Sequence, residues 1–206
     1  MGLGLNLGSA DSGAAIIPHI KYDARAGRIF RVDREDGISE QIDITNGFKA
    51  IFDLENVEVG YIMFAAGQAP DFRMVPLGSP LPAKPSDDHK HGVRFLVKLA
   101  AAQGGDVREI SSTAQAFLGA INSLHNQYED SASANPGKLP VVALKGVITM
   151  KTQKSTNYAP EFEIVGWAAR PADLPVKVAA APVRASAPST GSTKVSAPVA
   201  AEDDFG

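Results

Sequence analysis

The chain has 206 residues, of which 44% are hydrophobic and 21% are charged, and its formal net charge is -3. This composition is typical of a globular protein, and the net charge excludes nucleic-acid binding driven by overall positive charge, so such binding would require a local basic surface. The absence of cysteine excludes disulfides and thiol catalysis, and it favours a reducing compartment, which we expect to be a bacterial-type cytoplasm.

The chain begins with a glycine-rich segment, residues 1–15, which we expect to be a flexible arm. It lacks the basic start and the long apolar run of a secretory signal. No part of the chain reaches the roughly 18 consecutive apolar residues of a membrane-spanning helix, so we expect no membrane association.

Alternating apolar and polar residues predict strands within a globular domain that covers residues 16–171. In chain order the predicted strands cover residues 27–34, 47–54, 57–65, 92–100, 141–151 and 161–167. Segments 47–54 and 57–65 are interpreted as a hairpin or as one long bent strand. The proline-rich segment 70–91 is interpreted as a surface connection.

Apolar residues at helical spacing predict one helix, which starts near Ala114 and ends between residues 129 and 133. The order of elements predicts a mainly β fold. Specifically, it is the order of an OB-like five-stranded barrel with one helix between the third and fourth strands. A two-sheet sandwich with an accessory helix is the alternative.

The sequence offers no strong catalytic motif. It contains neither a phosphate-binding P-loop nor a nucleophile elbow, so we predict no enzyme activity and no cofactor. His89 and His91, with Asp87 and Asp88 before them, are the one metal-like cluster. Because Lys90 separates the two histidines, we predict a solvated loop there and no metal site.

Cations and aromatic residues recur along the predicted strands. Cations can follow a phosphate chain, and aromatic faces can receive unstacked bases whatever their sequence. Phe30, Phe52, Phe95, Phe117 and Phe162 are assigned to the core. The residues predicted to contact nucleic acid are Lys21, Tyr22, Arg25, Arg28, Arg31, Arg34, Phe48, Tyr61, Phe72, Arg94, Lys98, Lys145, Lys151, Lys154, Tyr158 and Trp167.

The end of the chain differs in composition from the rest. Residues 172–201 are almost entirely small residues, proline, valine and a few cations, and we expect a disordered linker there. Residues 202–206 follow as an acidic tip. An aromatic residue flanked by acids, as in Glu202, Asp203, Asp204 and Phe205, suits a peptide that docks into a basic-rimmed apolar pocket of a partner.

The predicted barrel, the linker and the tip together resemble the single-stranded DNA-binding proteins of bacteria and their phages, and most closely the divergent phage-encoded forms. The tip differs from the usual bacterial form because Gly206 follows the phenylalanine. The resemblance implies that the protein coats single-stranded DNA in replication, recombination and repair and recruits proteins of those processes through residues 202–205. It further implies that the protein is located in the cytoplasm of a bacterial cell or a phage-infected host, and it leaves a homo-oligomer open.

Two other functions stay open. One is a phage structural or adaptor protein that does not bind nucleic acid. The other is a metal-dependent enzyme that uses His89 and His91.

Overall fold

The computed structural model describes residues 17–35, 38–151 and 155–175. Within them, ten strands form one sheet and a single α-helix lies between the eighth and ninth strands. The strands are β1 (His19–Asp23), β2 (Arg28–Glu35), β3 (Ile38–Asp43), β4 (Lys49–Phe52), β5 (Glu58–Met63), β6 (Asp71–Pro76), β7 (Lys90–Leu99), β8 (Val107–Ser112), β9 (Lys138–Lys151) and β10 (Thr156–Ala169). The helix α1 spans Gln115–Ala132, and short 3-10 helices span Leu54–Asn56 and Ala101–Gln103.

Strand β7 is central because it is paired along both of its sides. On one side, its carboxyl half pairs with β4 and its amino half with β5, while β8 lies along the other side. The sheet runs in the order β10-β9-β4-β7-β8-β1-β2-β3, and β6 is joined to β5. Since β4 and β5 follow one another along the same side of β7, residues 47–65 fit the bent-strand interpretation.

The fold is mainly β with one helix, as predicted, but the five-stranded closed barrel is not confirmed. Over the described residues the sheet has ten strands, and its ladder runs from β10 to β3 without closing. The helix follows eight strands instead of three. Both strands predicted after it are present, and each is 14 residues long.

The prediction of a surface connection over residues 70–91 is wrong for residues 71–76. These residues form β6, which pairs antiparallel with β5. Prolines stand immediately before this strand and at its last position, where few ladder hydrogen bonds are lost. A proline-rich segment can therefore contain an edge strand.

The main core lies between one face of the sheet and α1. Phe52, which is fully buried, packs against Phe95 and Phe162 with ring centres 5.4 and 5.6 Å apart. The helix adds Phe117, whose ring meets Phe162 edge-on at 6.1 Å. We call the face that carries Phe52 and Phe95 the core face, and the opposite one the outer face.

A second, smaller cluster lies on the outer face and includes the chain that follows β10. Leu174 is 2% exposed and packs with Leu96 and Leu139, so the packed body extends past the boundary predicted after residue 171. Arg170 donates two hydrogen bonds of 2.8 Å to the buried carboxylate of Asp53 and anchors this segment. No helix among the described residues combines the length and apolar character needed to cross a bilayer.

Candidate nucleic-acid interface

The outer face of β1 and β2 carries exposed cations beside an aromatic ring. Lys21 lies directly opposite Phe30 in the antiparallel ladder, so both side chains lie on the same face. Arg34, four residues beyond Phe30 along β2, is placed on that face by the two-residue period of a strand. Lys21 and Arg34 are exposed, and neither forms an ion pair within the described residues. We call Lys21, Phe30 and Arg34 the basic patch.

The assignment of Phe30 to the core is wrong. Its neighbour Ile29 is 2% exposed and belongs to the main core, whereas Phe30 is only half-buried and lies outside that cluster. Arg28, Phe30 and Arg34 are separated by even numbers of residues, so strand geometry places them on one face. The even spacing could have predicted from the sequence that Phe30 lies on the same face as the arginines, but a phenylalanine in a strand favours assignment to the core.

His19 lies on the same face of β1, and the pKa of its side chain is shifted by burial and by nearby charges. Burial lowers the pKa of its imidazole, and Arg34 lowers it further. Glu109 acts in the opposite direction, while Arg108 and Lys21 also lower the pKa. Burial is the larger cause of this shift, and the contribution of Arg34 shows only that its guanidinium is close enough to act on the imidazole.

A second surface with aromatic side chains lies on the outer face of β6 and β7, on the opposite side of β8 from the basic patch. The guanidinium carbon of Arg94 is 4.7 Å from the ring centre of Phe72, within the range of a cation–π contact. Phe64 meets Phe72 edge-on at 6.3 Å and is 53% exposed. Arg94 also donates hydrogen bonds of 2.6 and 2.8 Å to Glu109, which offsets much of its charge. We call Phe64, Phe72 and Arg94 the aromatic ledge.

Two further predicted cations of the outer face are paired with acids. Arg28 binds Asp43, and Lys98 binds Asp173 from the segment after β10. Hydrogen bonds from Thr45 hold the pKa of Asp43 below its usual range, and Arg28 lowers it further. Each pair is close to neutral, so these cations add little net charge to the face.

The tip of the β9–β10 hairpin is held against the turn between β1 and β2. The Tyr22 hydroxyl donates a 2.8 Å hydrogen bond to the Tyr158 carbonyl, and the Tyr158 amide donates one of 2.7 Å to the Ala24 carbonyl. Gly27 has a positive φ of 66°, and a Cβ there would lie 3.0 Å from the Cβ of Tyr158. Glycine therefore permits both the turn and the close approach.

A polar groove of about 700 Å³ lies between this turn and β9. Arg28 and Lys145 lie on its walls, but Lys145 is 3.6 Å from Glu161, so both cations have acidic partners. Arg25 is exposed on the turn and Lys151 is exposed at the end of β9. The groove therefore brings Arg28 and Lys145 together without a strong net charge, and Arg25 and Lys151 are not among its lining residues.

Four predicted contact residues belong to the core face instead. Phe48 is 1% exposed inside the main core, and Tyr22 packs on Phe117 at 5.5 Å, which is consistent with burial raising its pKa to about 12. Trp167 packs beside Tyr128 of the helix at 5.9 Å. The remaining one is Arg31, which donates a 2.9 Å hydrogen bond to the Gln103 carbonyl and pairs with Asp33.

Tyr61 also lies on the core face, but at its margin. It is half-buried and stacks on the exposed ring of His91 at 4.6 Å. Lys154 and the tip residues 202–205 lie outside the described residues.

The histidine pair of the metal-like cluster is divided between different environments. His89 is 4% exposed, and its ring nitrogens lie 2.8 Å from the Ser86 hydroxyl and 3.2 Å from the Asp71 carboxylate. His91 stacks on Tyr61 instead. Over the part of the chain that the structure describes, no group of three or more His, Asp or Glu side chains is arranged to hold a metal ion.

Comparison of the chain with protein-family models, with curated proteins and with solved structures finds no match.

Proposed function

We propose that this protein binds single-stranded DNA without sequence preference and protects it during replication, recombination and repair. The basic patch would hold phosphates through Lys21 and Arg34 while a base stacks on Phe30. Base stacking contributes about 1–3 kcal/mol per base and is tolerant of sequence. The aromatic ledge would receive bases further along the same strand.

The observation that carries this proposal is that the basic patch and the aromatic ledge lie on the same face of the sheet. The side chains of Lys21 in β1, Ser111 in β8 and Arg94 in β7 all lie on the outer face. Each is next in its strand to a core-face residue, such as Ile20 or Ile110, and successive side chains of a strand lie on opposite faces. A DNA strand crossing β2, β1, β8 and β7 would therefore meet the ring of Phe30 with Lys21 and Arg34, which form no ion pair within the described residues, and then the rings of the aromatic ledge. A duplex keeps its bases stacked inside and could not use the rings.

Kinship with the OB-like single-strand-binding proteins is part of the same proposal. It is supported by a helix that precedes a final long hairpin and by the hydrogen bonds that link this hairpin to the β1–β2 turn. We further propose that residues 202–205 recruit replication and recombination proteins. That role rests on the composition of the tip, in which three acids adjoin a phenylalanine.

The alternative is a phage structural or adaptor protein without nucleic-acid binding. One observation favours it: the β9–β10 hairpin exposes Val147, Ile148, Met150 and Val165, each by 41–56%. Exposed aliphatic side chains on one hairpin suit contact with another protein.

Fluorescence anisotropy with labelled oligo-dT and with a duplex of the same length, at two salt concentrations, tests the proposal. We expect preference for the single strand. Lys21→Glu should weaken binding and make the salt dependence shallower by about 0.7 per lost phosphate contact. Lys138→Glu, an equal charge change at an exposed residue at the start of β9, is the control.

Equal binding to both nucleic acids, or equal effects of the two substitutions, would contradict the proposal. A chain lacking residues 202–206 should keep its affinity for the strand and lose capture of replication proteins. Weaker strand binding by this truncated chain would contradict the role assigned to the tip.

A further inference from the structure

Strand β6 lies at a margin of the sheet and presents side chains to both faces. Its ladder partner among the described residues is β5 alone. Because side chains alternate along a strand, Phe72 and Arg73 lie on opposite faces. Phe72 belongs to the aromatic ledge of the outer face. Arg73 is in register with Tyr61, and Tyr61 with His91, so these three form one row on the core face.

This row has the properties of a stacking surface. The rings of Tyr61 and His91 are 4.6 Å apart and inclined by 35°. His91 is exposed, and the Arg73 side chain is 57% exposed. Arg73 is paired with Asp71 at 3.1 Å, which partly offsets its charge. We call Arg73, Tyr61 and His91 the second platform.

An apolar cleft of about 350 Å³ adjoins the second platform. It lies between α1, strands β5 and β7 and the connection that follows β6, and His91 is one of its lining residues. Val59, Val93, Leu118 and Ile121 supply apolar walls. A cleft of this kind beside a stacked ring pair offers an unstacked base a place away from water.

We infer that a single strand bound to the outer face continues past β6 onto the second platform. One base stacks on His91 and Tyr61, the adjoining phosphate contacts Arg73, and the next base enters the cleft. The DNA strand would then pass from Phe72 and Arg94 on the outer face, around the edge strand β6, to Tyr61 and His91 on the core face. This inference rests on the proposed function, because it extends the path of the same ligand.

The test is the dependence of affinity on the length of the strand. Labelled oligo-dT of about 6 to about 30 nucleotides brackets the lengths that single-strand-binding folds cover. In the full chain, affinity should rise with length until the strand reaches the second platform. The variant Arg73→Gln/His91→Ala should bind the shortest oligonucleotides within about twofold of the wild type. It should bind the longest about tenfold more weakly, equivalent to one lost stacking contact.

Two controls separate this inference from its alternatives. Lys138→Gln removes one exposed cation elsewhere and should leave the length dependence unchanged. Arg73→Lys/His91→Tyr keeps a cation and a ring, and it should restore most of the affinity for long strands.

An equal loss at all lengths, or no loss at any length, would overturn the second platform while leaving the proposed function standing. A wild-type chain that binds no oligonucleotide of any length would overturn the proposed function itself.

Discussion

Replacing Phe30 with alanine should separate strand binding from folding. Phe30 is half-buried on the outer face and lies outside the main core, so the substitution exposes little new apolar surface. Complete burial of such a side chain contributes about 1.5–3 kcal/mol, and half of that gives an expected destabilisation of about 1 kcal/mol. The lost stacking contact should instead cost about 1–3 kcal/mol of binding, which is about 5- to 150-fold in affinity.

Phe52→Ala provides the matched comparison, because Phe52 is fully buried against Phe95 and Phe162. It should destabilise the fold by about 3–5 kcal/mol. Urea unfolding measures the stability of both variants, and anisotropy with oligo-dT measures affinity for the variant that stays folded. If Phe30→Ala lost as much stability as Phe52→Ala, or kept wild-type affinity, the placement of Phe30 at a binding surface would be refuted.

Two other predictions concern charged pairs. Arg170→Leu should lower the free energy of unfolding by about 3–5 kcal/mol because it leaves the 1% exposed carboxylate of Asp53 with hydrogen bonds from Asn56 but without its cationic partner. Asp53→Asn in that variant should recover part of the loss in urea titrations. Asp43 has a lowered pKa when folded, so its stabilising effect is present above its unfolded value of about 4 and is lost as the pH falls through the lower folded value. Asp43→Asn should therefore reduce the urea midpoint at pH 7, and the difference from the wild type should shrink in acid; an equal difference at both pH values would contradict this explanation.

The sequence predicted best those elements whose pattern is long. Helix α1 and strands β9 and β10 each cover 14 or more residues, so their hydrophobic periodicity is clear. Strand β6 has six residues bordered by prolines and gave no such signal. Strand β3 follows Asp36 and Gly37, and Asp-Gly between two strands is a strong hairpin signal that could have predicted it.

The candidate interface was less predictable because charge depends on partners that are remote in sequence. Lys98 is paired with a residue 75 positions away, and Arg28 with one 15 positions away. Periodicity can place a lysine on a face, but it cannot tell whether an acid from another element reaches it. The same limit applies to Phe48, whose ring packs in the core against Phe52 of β4 and Phe162 of β10, a residue far away in sequence.

These pairings change how binding should be explained. Among the described residues of the outer face, Arg28, Arg94 and Lys98 are bound to acids, whereas Lys21 and Arg34 of the basic patch form no ion pair, and neither do Lys49 and Lys90. The two unpaired cations of the basic patch would release few counterions when phosphates bind, so their charge alone would give weak binding with a shallow salt dependence. The rings of the basic patch and the aromatic ledge must then supply most of the affinity, because stacking does not depend on net charge. A protein with a net charge of -3 can therefore bind an anionic DNA strand through base stacking, provided that the bases of that strand are unstacked.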